Sequence, residues 1–204
     1  MIAYTLFVLA VGVERLVELA VSKRNLAWAY RHGGREYGRG HYPAMVALHF
    51  SLLAGCVLEV WLLDRPFLPV LGWSMVAVVL ATQALRWWCI GTLGRRWNTL
   101  IVVVPGLPLV NRGPYRWLRH PNYVAVVIEG IALPMVHTAW ITAVTFTVLN
   151  AFLLRVRIRA EEAALAQALA QAPAPVSGSA SDAVSSDAVD RPAPAPAKSS
   201  GPKL

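Results

Sequence analysis

Large apolar side chains run along this chain in long stretches separated by short polar ones, at about 1–21, 44–64, 67–90, 123–137 and 139–156. The first three have the ~20 residues that a helix needs to cross a hydrocarbon core of ~30 Å. The last two are shorter and meet at Pro134-Met135-Val136-His137, which predicts a tight or partly re-entrant hairpin with Pro134 near its apex. Residues 1–21 lack a basic start and contain Glu14, Arg15 and Glu18, so they read as a retained first helix. The expected fold class is all-α: a polytopic membrane protein with about five transmembrane helices, the last two forming a hairpin. The expected division is a membrane domain over 1–171 and a tail over 172–204.

Basic residues set an orientation on these spans. Lys23, Arg24, Arg31, Arg35 and Arg39 fill the first connection; Arg95, Arg96, Arg112, Arg116 and Arg119 fill the third. Arg155, Arg157 and Arg159 follow the last stretch. The second connection offers Arg65 beside Asp64, and the fourth offers no basic residue. This alternation predicts a multi-pass cell-membrane protein with its N-terminus outside and its C-terminus cytoplasmic. The net charge of +8 is then a topology signal, and nucleic acid is not an expected partner. Composition agrees, since a chain that is 56% hydrophobic with mean hydropathy +0.50 has the bilayer as its solvent. Cys56 and Cys89 both fall inside apolar stretches without metal-type spacing, which argues against a disulfide or a metal site. From about Ala172 the chain is Ala, Pro, Ser and Asp without an aromatic residue. Such a composition buries too little apolar surface to offset ordering entropy, so the tail is expected to be disordered.

A hairpin that begins and ends on one side lets its two flanking polar clusters meet. The first is Arg119-His120-Pro121-Asn122-Tyr123. Pro121 suits the first helical position, where its missing N–H would be unpaired anyway, and the N–H groups that follow favour an anion. An interfacial cap anchored by Arg116 and Arg119 accounts for the same residues. In the second cluster, Arg157 lies four before Glu161 and Arg159 three before Glu162. Ion pairs along one helix face explain that run; a carboxylate accepting bonds from a ligand's hydroxyls or amine explains it as well. Glu129 lies about two turns past Asn122, and an intramembrane carboxylate faces a cavity or a partner. Arg15 and Glu18 are spaced to pair with each other. Arg86 beside Trp87 and Trp88 reads as a cation reaching for the interface. Gln83 and Asn150 read as interhelical hydrogen-bonders, and His41 and His49 have no ligand partner at useful spacing.

Gly113-Pro114-Tyr115-Arg116…Leu118-Arg119-His120-Pro121-Asn122-Tyr123, followed by Arg157-Ile158…Glu161-Glu162…Leu165, resembles the isoprenylcysteine carboxyl methyltransferase family of integral-membrane enzymes. Glu14-Arg15-Leu16…Glu18-Leu19…Ser22…Arg24-Asn25, His41-Tyr42-Pro43, Arg96-Trp97-Asn98 and Asn150 extend the likeness to a bacterial branch thought to methylate alkylpyrones or alkylresorcinols. The resemblance implies S-adenosylmethionine as cofactor, held by His120, Asn122, Tyr123, Glu161 and Glu162. It makes Arg157, ahead of Arg159, the substrate-side arginine. The eukaryotic pattern continues after its Glu-Glu-x-x-Leu with a Phe and two Tyr residues, whereas here Ala166-Gln167-Ala168-Leu169 follows, which turns the expectation away from a prenylcysteine substrate.

These residue types suit methyl transfer from a sulfonium, an in-line displacement in which the protein supplies positioning and electrostatics. A phenol or enol acceptor must also lose a proton, which Glu129 or His120 is placed in sequence to take, while Arg157 stabilises the oxyanion. The leading expectation is a membrane O-methyltransferase for a lipophilic hydroxylated ring, with the bilayer and that small molecule as partners. Methylation of an isoprenylated carboxyl group stands second, because arginine far outnumbers lysine as in GC-rich bacterial coding sequence. A phospholipid amine methyltransferase stands third. A non-catalytic subunit or small transporter is the rival from another class, but a transporter favours internal repeats and mid-membrane polarity, and no repeat is evident.

Overall fold

The computed structural model describes residues 1–170; the expectation of a disordered tail over 172–204 lies outside the described residues. Five helices carry the described residues: α1 over Ile2–Arg31, α2 over Tyr42–Leu62, α3 over Pro69–Leu93, α4 over Pro121–Met135 and α5 over Trp140–Ala170. Between them, β1 (Arg35–Tyr37) and β2 (Ile101–Val103) form an antiparallel ribbon with Glu36 opposite Val102. Prolines in the first turn start α2, α3 and α4, where a missing N–H costs no helical hydrogen bond.

Three helices, α2, α3 and α5, are long and apolar enough to cross a membrane. α4 is apolar but has 15 residues, or about 22 Å of axis. α1 has the length, but Glu14, Arg15 and Glu18 interrupt its apolar run. Arg15 and Glu18 turn into the bundle, while Glu14 accepts from the exposed Trp87 indole. Arg15 pairs with Glu18 at 3.0 Å and with Glu129 of α4 at 3.4 Å, and Arg86 of α3 meets the same Glu129 at 2.5 Å. Arg86 is thus 5% exposed and does not reach for the interface as its flanking tryptophans suggested. Its guanidinium finds carboxylates inside the bundle instead. Meanwhile Val70, Trp73, Leu62 and Phe152 stand 63–85% exposed on the outside, the arrangement expected of a surface solvated by lipid tails.

The short final segment expected over 139–156 is instead the first half of a 31-residue helix. α5 does not stop at its charges. Arg157, Glu161 and Glu162 ride the same helix that passes through the apolar core, because nothing in 155–162 breaks a helix. α4 packs against both α3 and α5, and a Cβ at Gly130 would collide with the Phe146 ring, so glycine sets how closely α4 and α5 approach.

Both ends of the bundle are stitched. At the end away from the ribbon, Glu59 of α2 accepts bonds from the Thr142 N–H and hydroxyl, each at 2.7 Å, and from the Ile141 N–H at 3.2 Å, while pairing with Arg65 at 2.9 Å. It therefore caps the start of α5, satisfying N–H groups that no helical carbonyl can reach. The Tyr4 hydroxyl donates to the Leu133 carbonyl and the Thr138 hydroxyl to that of Pro66. At the ribbon end, Asn25 of α1 donates to the carbonyls of Gly94 (3.1 Å) and Trp97 (2.7 Å), and the Ser22 hydroxyl accepts from the Thr99 N–H. The polar face of α1 thus fixes the loop that follows α3.

Candidate functional site

Three elements converge at the ribbon end: the first turn of α4, the middle of α5 and the 94–100 loop. The chain enters α4 through Gly113, whose φ of +57° and closeness to the Thr92 hydroxyl leave no room for a side chain. Beside it, burial pushes the Tyr115 phenol above its ordinary range, with Cys89 adding to the shift, so Tyr115 is a neutral hydroxyl in the wall of the site.

Arg157 sits at the centre and is only 7% exposed. Its Nε donates to the Tyr123 hydroxyl at 2.8 Å, its Nη2 to the Thr99 carbonyl at 2.6 Å, and its Nη1 to the Met45 sulfur at 3.4 Å. Tyr123 passes the contact on by donating to Glu161 Oε2 at 2.5 Å. Hence Tyr123 stands between Arg157 and Glu161, where sequence spacing suggested a direct pair along α5. His120 stacks on the Tyr123 ring at 5.2 Å and 13° and brings its Nδ1 to 3.7 Å from the same carboxylate oxygen.

Two cavities flank this chain of contacts. One, of about 880 Å³, is lined by Asn98, Tyr115, His120, Asn122, Glu161 and Glu162 among others. The second, of about 510 Å³, runs between the helices with walls that include Val8, Gly12, Leu53, Val57, Val126 and Leu154. They share Trp97, Asn98, Asn122, Tyr123 and Arg157. At that junction the side-chain carbonyl oxygens of Asn98 and Asn122 are buried without a hydrogen-bond partner, unusual for buried acceptors.

Six of the seven residues given a cofactor-binding or catalytic role from sequence, namely His120, Asn122, Tyr123, Arg157, Glu161 and Glu162, line the larger cavity. Glu129 does not. It lines neither cavity and is occupied by Arg86 and Arg15. Arg159 is exposed and lines neither. Sequence reasoning missed Thr99 and Met45, which act through a backbone carbonyl and a thioether and leave no pattern. The signal that was available lay in Ser22, Asn25 and Trp97-Asn98, polar or interfacial residues at otherwise apolar element ends.

The sequence model of the isoprenylcysteine carboxyl methyltransferase (ICMT) family matches residues 75–167. A Bacillus subtilis protein, the uncharacterized YpbQ, is 40% identical over 154 residues, which cover 75% of this chain and 90% of that protein. An uncharacterized Haemophilus influenzae protein is 24% identical over 154 residues, 74% of this chain and 88% of its own length. The chain belongs to the isoprenylcysteine carboxyl methyltransferase family. Members of that family are membrane methyltransferases, and the three long apolar helices of this one agree. The matched region of this family member runs from α3 through α5 and contains the junction residues Asn122, Tyr123 and Arg157; α1, with Arg15 and Glu18, precedes it.

Proposed function

We propose that this family member is an S-adenosylmethionine-dependent O-methyltransferase, formed by residues 1–171, whose acceptor is a lipophilic hydroxylated ring of the alkylpyrone or alkylresorcinol type. The observation that carries the reading is the junction. A carboxylate-bearing cavity and an apolar one meet at Asn122, Tyr123 and Arg157. A polar methyl donor and a greasy acceptor arriving from different phases need such a meeting point.

The larger cavity suits the cofactor by its donors and acceptors. Glu161 and Glu162 match ribose hydroxyls and an ammonium group, the partnerless oxygens of Asn98 and Asn122 await donors, and the first turn of α4 suits a carboxylate. Its volume falls within the ~300–1,000 Å³ usual for small-molecule sites. His120, Asn122, Tyr123, Glu161 and Glu162 would hold the cofactor, which when bound would supply a methyl group on a sulfonium sulfur, with a neutral thioether as the leaving group. The chain's own residues orient the acceptor and move its proton. Arg157, fixed by Thr99 and Tyr123, stabilises the oxyanion that develops on the acceptor. The hydroxyl proton passes to Tyr123 as Tyr123 releases its own to Glu161 along the hydrogen bond that already joins those two side chains. Glu129, held between two guanidinium groups, balances charge and takes no proton in this scheme.

The same reading makes α1 to α5 five crossings, with α4 and α5 as the hairpin, the N-terminus outside and the C-terminus cytoplasmic. What supports it is that the ribbon end gathers the basic connections while the opposite end offers Arg65, and that Arg15 and Glu18 of α1 are paired inside the bundle. The acceptor cavity bears Leu9, Val13, Leu16 and Phe50, all exposed on the outer surface, which supports entry from lipid. Membranes incubated with labelled S-adenosylmethionine and a panel of alkylpyrones, alkylresorcinols and farnesylcysteine derivatives test the proposal. Label in the hydroxylated rings supports it; label confined to farnesylcysteine methyl ester replaces it with carboxyl methylation.

A further inference from the structure

The apolar cavity is not apolar throughout. Arg15 and Glu18 of α1, His49 of α2, Arg86 of α3 and Asn150 of α5 face into it, with Glu129 of α4 behind. Arg15, His49, Glu129 and Asn150 each lie seven residues from a ribbon-end residue of their own helix (Ser22, Tyr42, Asn122 and Arg157), about 10 Å along a helix axis. Arg86 of α3 meets Glu129, so all five helices carry a polar side chain at this level, two turns beyond the junction. Its two arginines and two glutamates are not fully satisfied by one another. Arg15 Nη1 meets Glu18 Oε2 at 3.0 Å and Arg86 Nη2 meets Glu129 at 2.5 Å. Arg15 Nε, Arg86 Nε and Glu18 Oε1 are buried without a hydrogen-bond partner, the last two only facing each other at 3.5 Å. Glu18 and Arg86 are each 5% exposed. A hydrocarbon tail lying across this level would leave those groups unmet, a costly arrangement in so dry a place.

Resting on the methyltransferase reading above, we propose that this level is a second recognition site for the acceptor and takes a second hydroxyl of the same ring, while the hydroxyl to be methylated lies at the junction. A hydroxyl satisfies both kinds of unmet group, accepting from an arginine Nε and donating to Glu18 Oε1; a carbonyl satisfies only the first. One aromatic ring with a hydrogen bond at each end covers about 10 Å. The cavity therefore selects a dihydroxylated ring over a ring with one hydroxyl, and over an acceptor whose tail is bare hydrocarbon.

Purified protein in detergent is given labelled S-adenosylmethionine with either pentadecylresorcinol or its single-hydroxyl analogue pentadecylphenol, and S-adenosylhomocysteine affinity is measured by calorimetry. The expected result is at least a tenfold higher kcat/KM for the diol, beyond the twofold that two equivalent hydroxyls give by statistics. Glu18→Gln should then raise the KM for the diol about tenfold and shrink the diol's advantage over the phenol, with S-adenosylhomocysteine affinity retained because Glu18 lies outside the larger cavity. If that variant does not fold, the wild-type preference alone decides. Equal kcat/KM for the two rings overturns the proposal, as does cofactor binding without methylation of either. No S-adenosylhomocysteine binding by the wild type sinks the methyltransferase reading itself and this proposal with it.

Discussion

Arg157 Nη2 donates a 2.6 Å hydrogen bond to the backbone carbonyl of Thr99, 58 positions earlier in the chain. The central cation of the site is thus aimed by a loop, and that loop is held by α1 through Asn25 and Ser22. Residues with no contact to either cavity's ligand can therefore set where the guanidinium points.

Asn25→Ala should lower kcat by about tenfold through loss of Arg157 alignment, since two backbone acceptors lose their donor and each such bond is worth ~1 kcal/mol. Binding of S-adenosylhomocysteine should stay as in the wild type, because Asn25 lies outside the larger cavity. A parallel loss of cofactor affinity would show that the loop shapes the whole site and not Arg157 alone.

Glu162→Gln and His120→Ala should each weaken cofactor binding by ten- to a hundredfold, the value of a lost charge-assisted hydrogen bond of roughly 1.5–3 kcal/mol. Arg159→Ala, an exposed position that lines neither cavity, serves as the control and should bind normally. Calorimetry with S-adenosylhomocysteine reads all three. Unchanged affinity in both of the first variants would make those residues interfacial caps.

Reporters placed in the 32–41 and 104–112 connections should register as cytoplasmic, and reporters in 63–68 and 136–139 as external, because membrane-proximal Lys and Arg gather in the former pair. A cytoplasmic signal from 136–139 would mean that α4 and α5 do not cross as a hairpin.

Glu59→Gln should destabilise the protein by about 2 kcal/mol, since it weakens both the α5 cap and the pairing of Arg65. Thermal unfolding in detergent reads this as a lower Tm. Activity per folded molecule at low temperature should hold, because Glu59 lies at the end of the bundle opposite the site. A large drop in kcat without a drop in Tm would contradict a purely structural role.

Much of the site was legible because its residues carry their chemistry in their side chains. The Arg119-His120-Pro121 entry to a helix and the Arg157…Glu161-Glu162 run each pointed to a binding surface, and the packing of α4 against α5 brings the two to one cavity. The continuity of α5 was harder to read. Charges at 155–162 mark the limit of an apolar stretch, but a helix ends only where hydrogen bonding ends, and Arg, Glu and Ala keep it going. Three-residue strands such as β1 and β2 are too short for a periodic signal. The level formed by Arg15, Glu18, Arg86 and Glu129 was hidden for another reason. Arg15 and Glu18 are spaced to pair within one helix, so neither called in the sequence for partners 68 or 114 positions away.

α5 runs without interruption from its cap at Glu59 to Glu161, and so it fixes angular phase as well as length. One residue added between Thr142 and Arg157 would rotate everything beyond it by about 100°, turning Arg157 away from Tyr123 and Glu161 away from the cavity. Seven added residues would nearly restore the direction but carry both side chains about 10 Å past their partners. The connecting loops can change size around this rod, whereas the rod itself admits substitution and no change of count.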